Sequence, residues 1–450
     1  MTSTLPPSAA EAPDISVWHL AWPAVVTSLL QSMVGVADAK AIGSLGASAM
    51  AAATAGHRLQ FLLQALLLAT SVGTTALVAR AWGAAEHDEA ARVLSASLML
   101  ATAIATVMAL LGFVFAASFA RALGLTGETA AFAATYMRWI SGFNIVFAFA
   151  FVLGAALRGA GDMRTPLWLG VINNVVNFAL LYLFVYGGLG APKLGIAGAA
   201  LAGGVAFSTG GVVALWLWLR GKLVVKSLWR GALEPGRVRT LARVALPAAL
   251  EQLVFHGGFI LFTYLLVGYG TPALAAYGVG VQILSLCFVV GFGFSLAAST
   301  LVGQALGAGD SARAAASGWR AMRYAVLAMS VLAITIVVLA RPIARLMIKD
   351  EEVIALTVTF IYLLGAVQPL MAIDFALSGA LRGAGDTRFP LLTTFSGLVL
   401  GRLLLAFAFA HAGMRVEWIY GALIADYIIK ATLLVGRFRG ARWQRNRLSD

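Results

Sequence analysis

The chain is 450 residues long, 61% hydrophobic and 11% charged, against about 45–50% and 25% in soluble domains. Its mean hydropathy of +0.90 excludes a soluble enzyme, a nucleic-acid binder and a secreted disulfide scaffold as the main reading. The net charge of +13 then reads as Lys and Arg gathered in cytoplasmic loops, and the single cysteine, Cys287, leaves no intrachain disulfide.

Residues 1–16 hold Glu11 and Asp14 without Lys or Arg, which predicts a disordered cytoplasmic lead and no signal peptide. Twelve apolar runs of membrane-spanning length follow, at 17–42, 49–79, 93–120, 129–157, 166–187, 194–219, 242–268, 273–303, 319–340, 353–381, 389–412 and 416–436. They are too long and too evenly apolar for barrel strands. The fold class is therefore an all-α integral membrane protein. Spans 1–6 make an N-lobe (17–220) and spans 7–12 a C-lobe (242–436), joined by a basic cytoplasmic linker (221–241) with Pro235 and Gly236 and followed by a basic cytoplasmic tail (437–450). Of the 32 Lys and Arg, 21 fall at the even-numbered connections and the C-terminus and 6 at the odd-numbered ones. That excess puts both termini in the cytoplasm of a multi-pass plasma-membrane protein.

The chain repeats itself at an offset of 224 residues. Pro23 falls on Pro247, Gly46 on Gly270, Ala52 on Ala276 and Gly83 on Gly307, and the segment Leu157-Arg158-Gly159-Ala160-Gly161-Asp162 recurs as Leu381 to Asp386. Six spans per half is an even number, so the halves are parallel repeats around an axis along the membrane normal. Such an arrangement leaves a cavity between two lobes that rock around it, which is transporter architecture. No G-x-x-x-x-G-K-[ST] nucleotide site is present. The glycines of the doubled segment end one helix, the Asp caps the next, and Arg158 and Arg382 suit helix C-termini.

With its doubled LRGAGD-x-R segment, Leu301-Val302-Gly303-Gln304 running to Asp310, Pro23, and Asp38 fifteen residues later, the chain resembles the multidrug and toxic compound extrusion (MATE) transporters over 17–436. The resemblance implies twelve helices in two lobes and export of bulky, often cationic organic compounds, driven by inward flow of H⁺ or alternatively Na⁺. It implies no cofactor, no metal and no nucleic-acid partner, only small molecules and membrane lipid, and we expect a monomer. It carries the N-lobe cation site onto Asp38 and onto Asn177, with Asn173 and Asn174 nearby. The second Asp of one proton-coupled branch is here Leu181; the sodium-coupled branch's acidic positions are Phe255 or His256 and Met371.

Ionisable groups inside a bilayer need a partner or a role. Asp38 reads either as the coupling site or as a fixed partner of Lys40 or Arg58. Glu251 and Asp374 are candidate coupling carboxylates of the C-lobe, where their repeat images are Thr27 and Ala150. His256 shares a helix face with Gln252 and is an auxiliary proton carrier or a hydrogen-bonded core group. Asp426 and Lys430 read as an ion pair that Arg402 joins. Pro23 and Pro247 lack a ladder N–H and are matched candidate hinges. Phe143, Phe147, Phe149, Phe151, Trp216 and Trp218 line a cavity or pack in the bundle. The competing functions are a flippase for lipid-linked saccharides, which calls for a strongly basic cavity, and an intramembrane enzyme, for which no catalytic set is visible.

Overall fold

A computed structural model describes residues 16–445, apart from the side chains of Ala47, Arg58, Leu59 and residues 61–63. The lead expected over 1–16 lies outside the described residues except for Ser16. Among the described residues, twelve helices are long and apolar enough to cross a membrane. We label them α1 (Val17–Gly43), α2 (Ala47–Gly83), α3 (His87–Val114), α4 (Gly127–Gly159), α5 (Arg164–Phe184) and α6 (Gly195–Leu219). The second half holds α7 (Pro235–Val267), α8 (Thr271–Gly307), α9 (Ser311–Val338), α10 (Glu351–Gly383), α11 (Arg388–His411) and α12 (Val416–Arg439).

The bounds of α2, α3 and α4 recur in α8, α9 and α10 at the sequence offset of 224. Each third span stops short of its expected end, and a separate short helix follows, Ala116–Ala122 and Ala340–Met347. The linker is shorter than its composition suggested. Pro235, which suits a first helical turn, starts α7, so residues 235–241 are helix. Arg237 there is held by Glu89 at 2.7 Å and Glu234 at 3.2 Å. Likewise α12 continues to Arg439, and Trp443 beyond it is buried on Phe438.

The doubled segment forms helix-ending turns. In both copies the second glycine adopts positive φ, +91° at Gly161 and +81° at Gly385, and the following N–H returns to the helix at 2.9 Å (Asp162 to Leu157) and 2.8 Å (Asp386 to Leu381). Asp162 caps α5 through the N–H of Thr165 at 2.9 Å. Asp386 departs from the expected cap: its side chain accepts from Arg437 of α12 at 2.7 and 2.9 Å.

The lobes cross over at their seam. The first helix of each lobe packs on the second helix of the other, α1 on α8 and α7 on α2. Val17, Leu20 and Ala21 of α1 belong to the C-lobe core, and Leu241 of α7 belongs to the N-lobe core. Where α2 and α8 end, the backbones touch: a Cβ on Gly83 would overlap the Gln304 carbonyl, and one on Gly307 the Arg80 carbonyl. Thr300 Oγ1 and Gln304 Nε2 donate across the seam to the Arg158 and Gly159 carbonyls, both at 2.9 Å. At the opposite end the cores are separate. One, around Ile42, Tyr136 and Leu181, is all N-lobe; the other, around Phe262, Tyr277 and Tyr420, is all C-lobe. The lobes thus meet at one membrane face and part toward the other.

Candidate functional site

Asp38 on α1 and Asn177 on α5 meet in the N-lobe, with Asn177 Nδ2 donating to Asp38 Oδ1 at 3.4 Å. Asp38 lines a cavity of about 60 Å³ together with Gln60, Tyr136, Asn144 and Phe147. Tyr136 is held by a 2.9 Å hydrogen bond to His57. The buried Asn177 Oδ1 has no hydrogen-bond partner, so the Asp–Asn pair keeps an unused acceptor. Lys40 is exposed and none of the ion pairs among the described residues involves Asp38; the side chain of Arg58 lies outside the described residues. Two residues along a helix turn a side chain to another face, which removes Lys40 as a partner.

A second N-lobe cavity, about 100 Å³, is lined by Thr27, Gln31, Arg158, Asn173, Asn174 and Asn177. Phe147 and Phe207 line both spaces. The two asparagines flanking Asn177 in the sequence reading therefore belong to this inner cavity.

In the C-lobe, Glu251, Gln252 and His256 of α7 and Asp374 of α10 all line one cavity of about 310 Å³. Leu68, Ala69 and Val72 of α2 complete its wall, so it opens at the seam between lobes. Glu251 is paired. Arg382 Nη2 donates to Glu251 Oε1 at 2.6 Å and Thr394 adds a bond at 3.2 Å. Arg382 thus does more than end a helix: it reaches from the doubled segment into the cavity. Asp374 Oδ1 accepts from Ser378 at 3.2 Å. Phe288 and Phe292 each pack on Phe375, with centroids 5.3 and 5.1 Å apart, giving the cavity an aromatic wall for flat organic groups.

Behind this wall Asp426 is held by Arg402 at 2.7 Å and Lys430 at 3.1 Å, all three buried. Lys430 also lines the cavity. Around Arg402 the helix widens into a π segment, Ser396–Leu403, in which Gly397 and Gly401 sit directly against Asp426. Sequence reading missed that segment and the reach of Arg382. The glycine pair at i, i+4 facing a charged span was the available signal. Of the aromatics, Phe147 and Phe151 line N-lobe cavities, Phe149 packs on buried Trp218, and Trp216 lies under Arg220 at 4.5 Å.

Two six-helix lobes with an acid-lined cavity at their seam make this multi-pass membrane protein a transporter by architecture. The MatE family model matches twice, over residues 23–183 and 247–407, reproducing the 224-residue offset, and the chain belongs to this MATE family of transporters and is not an enzyme. It is 30% identical over 443 residues to "Probable multidrug resistance protein NorM" of Thermotoga maritima, covering 97% of this chain and 94% of the relative. A namesake from Bradyrhizobium diazoefficiens is also 30% identical, covering 94% and 93%. Among solved structures, a mutant of the Vibrio cholerae MATE transporter VcmN superposes with a TM-score of 0.89 at 20% identity, covering 96% of this chain and 97% of that one. Another with the same TM-score and identity, covering 96% of each chain, is an outward-facing multidrug resistance MATE transporter.

Proposed function

We propose that this protein is a secondary antiporter that exports bulky organic, often cationic compounds across the plasma membrane in exchange for H⁺ or Na⁺. The carrying observation is the seam, joined at one face and parted at the other, with a carboxylate-lined cavity beside it. The joined face is the one to which the Lys and Arg excess assigns the cytoplasm, so the conformation is open to the outside with both termini inside. Alternating access then requires breaking the seam at α2 and α8 while the lobes turn about α1 and α7, with Pro23 and Pro247 as hinges. The flippase reading called for a strongly basic cavity. The C-lobe cavity instead sets two carboxylates, Glu251 and Asp374, against Arg382 and Lys430.

Charge balance also divides the coupling roles. An added Na⁺ gains little beside Arg382 and Lys430, because each cation offsets a carboxylate's attraction. Asp38, hydrogen-bonded to Asn177 and held by no described cation, is the site where gaining or losing a cation changes the local charge. We therefore place coupling at Asp38 and Asn177, with Glu251, Asp374 and His256 accompanying substrate in the C-lobe. A driver acts only through differential binding to the two states. In vesicles under an imposed pH or Na⁺ gradient, Asp38→Asn should abolish uphill efflux while substrate binding persists. Undiminished efflux would move coupling to Glu251 and Asp374. The same assay on a Pro23→Ala, Pro247→Ala double variant reports the hinges, and full transport by it removes them.

A further inference from the structure

On the joined face a cavity of about 650 Å³ lies between the end of α2, the start of α3 and the first turns of α7, with Gly307 of α8 in its wall. Four arginines line it, Arg80, Arg237, Arg239 and Arg243, beside three carboxylates, Glu86, Glu89 and Glu234. Arg237 closes on two of those acids. It donates to both oxygens of Glu89, at 2.7 and 2.8 Å, and to Glu234 at 3.2 Å. The other charged groups of the lining are Arg80, Arg239 and Arg243 with Glu86, an excess of cations. Repeat symmetry does not call for those three arginines: their images are Gln304, Ile15 and His19.

The surroundings show what these cations meet. Arg239 and Arg243 are exposed, and the same face of α7 continues as Leu246, Leu250 and Leu253, spaced three and four residues apart and all exposed. Ala245, Ala248 and Glu251 occupy other sides of the helix, against α2 and the C-lobe cavity. Cations leading into an apolar stripe complement an amphiphile whose polar end is anionic. A guanidinium takes phosphate oxygens in pairs, and basic pockets on the cytoplasmic side of helix bundles hold phosphate headgroups. The Lys and Arg excess assigns this face to the cytoplasm. We propose that the cavity seats the headgroup of an anionic phospholipid of the cytoplasmic leaflet. Its phosphate lies between Arg239 and Arg243 of α7 and Arg80 of α2, and an acyl chain follows the leucine stripe of α7.

Native mass spectrometry of the purified protein in detergent counts bound lipids directly, without a gradient, so the result is independent of export. The probes are phosphatidylglycerol, phosphatidylcholine, inorganic phosphate and glycerophosphoglycerol, the last being the headgroup without its chains. The first phosphatidylglycerol should bind more tightly than phosphatidylcholine. Arg239→Gln combined with Arg243→Gln should weaken it about thirtyfold and leave phosphatidylcholine unchanged. Arg239→Lys with Arg243→Lys keeps the charge and should restore most of the affinity. Lys226 and Arg230 are exposed on the same face but do not line the cavity, so Lys226→Gln with Arg230→Gln should have little effect. An unchanged affinity in the Arg239 and Arg243 double variant, or an equal loss in the Lys226 and Arg230 one, would overturn the proposal. So would displacement of the lipid by phosphate or by the bare headgroup, since a free anion would then be the occupant.

Discussion

In the N-lobe a row of buried amides sits on α5; in the C-lobe a buried ion pair sits on α12 instead. Asn173 and Asn177 of α5 face small residues of α6, such as Gly210 beside Asn173. Their images on α11 are Gly397 and Gly401, and α12 answers with Asp426 and Lys430 where α6 has Ala202 and Ala206. Even the aspartate we propose for coupling is exchanged: the image of Asp38 is Phe262, and Arg402 lies 5.8 Å over its ring. One backbone therefore serves two chemistries. What the repeats hold in common is the set of helix-ending turns and the glycine contacts at the seam. Among the described residues, the C-lobe pairs Glu251 and Asp426 with its own cations, whereas in the N-lobe Asp38 meets Asn177 and the Arg158 side chain meets no acceptor.

The largest effect is expected at the buried triad. Asp426→Leu strands two buried cations and should cost about 3–5 kcal/mol, read as collapse of the folded yield and of the thermal unfolding midpoint. A mild loss would mean that Arg402 and Lys430 find other acceptors, and that the C-lobe is less self-contained than its geometry. Next, Glu251→Gln makes the C-lobe resemble the N-lobe by leaving Arg382 without its acid. A loss of about 2 kcal/mol is expected, and an unshifted unfolding midpoint would contradict it.

At the shared seam, Thr300→Val combined with Gln304→Leu deletes both cross-lobe bonds to α4. At about 1 kcal/mol each, the population open on the joined face should rise about thirtyfold. Distances between spin labels on the ends of α2 and α8 would report it, and unchanged distances would assign closure to the glycine contacts alone. The smallest effect concerns a turn. Ala85 adopts φ +60° where its image Gly309 sits at +77°, a conformation that costs a side chain about 1–2 kcal/mol. Ala85→Gly should stabilise the chain by about 1 kcal/mol, and a lower unfolding midpoint would refute that.

Twelve spans and their pairing into lobes were legible because bilayer thickness and the loop charge bias act on composition, and because the repeat offset survives in sequence. The helix-ending turns were legible for a local reason: glycine supplies the positive φ they need. The Asp426–Lys430 pair was legible from its i, i+4 spacing, and Arg402 joins it in the structure. Arg382 meeting Glu251 was not, since the partners lie on different spans of α7 and α10 and only folding sets their depth. The π segment escaped because one extra residue in a helical turn leaves the apolar run intact. Asp386 was misassigned to a cap because Arg437, its partner, arrives from the next helix but one. In the candidate site, Asp38 with Asn177 was visible only through the family resemblance, and the unlike surroundings of Arg158 and Arg382 only through comparing the two halves in space.

The crossing of α1 onto α8 and of α7 onto α2 has a consequence for synthesis. A ribosome that has finished α6 has made six spans, yet the α2 surface around Ala69 and Val72 still awaits Ala245 and Ala248 of α7. Conversely α1, first to emerge, buries Val17 and Leu20 in a core most of whose other members come from α8, α9, α10 and α12. Neither half can complete itself in the order in which it is translated, so the nascent N-lobe must be sheltered by lipid or insertion machinery until the second half arrives. A chain cut in the basic linker would assemble only if both pieces were present in the same membrane.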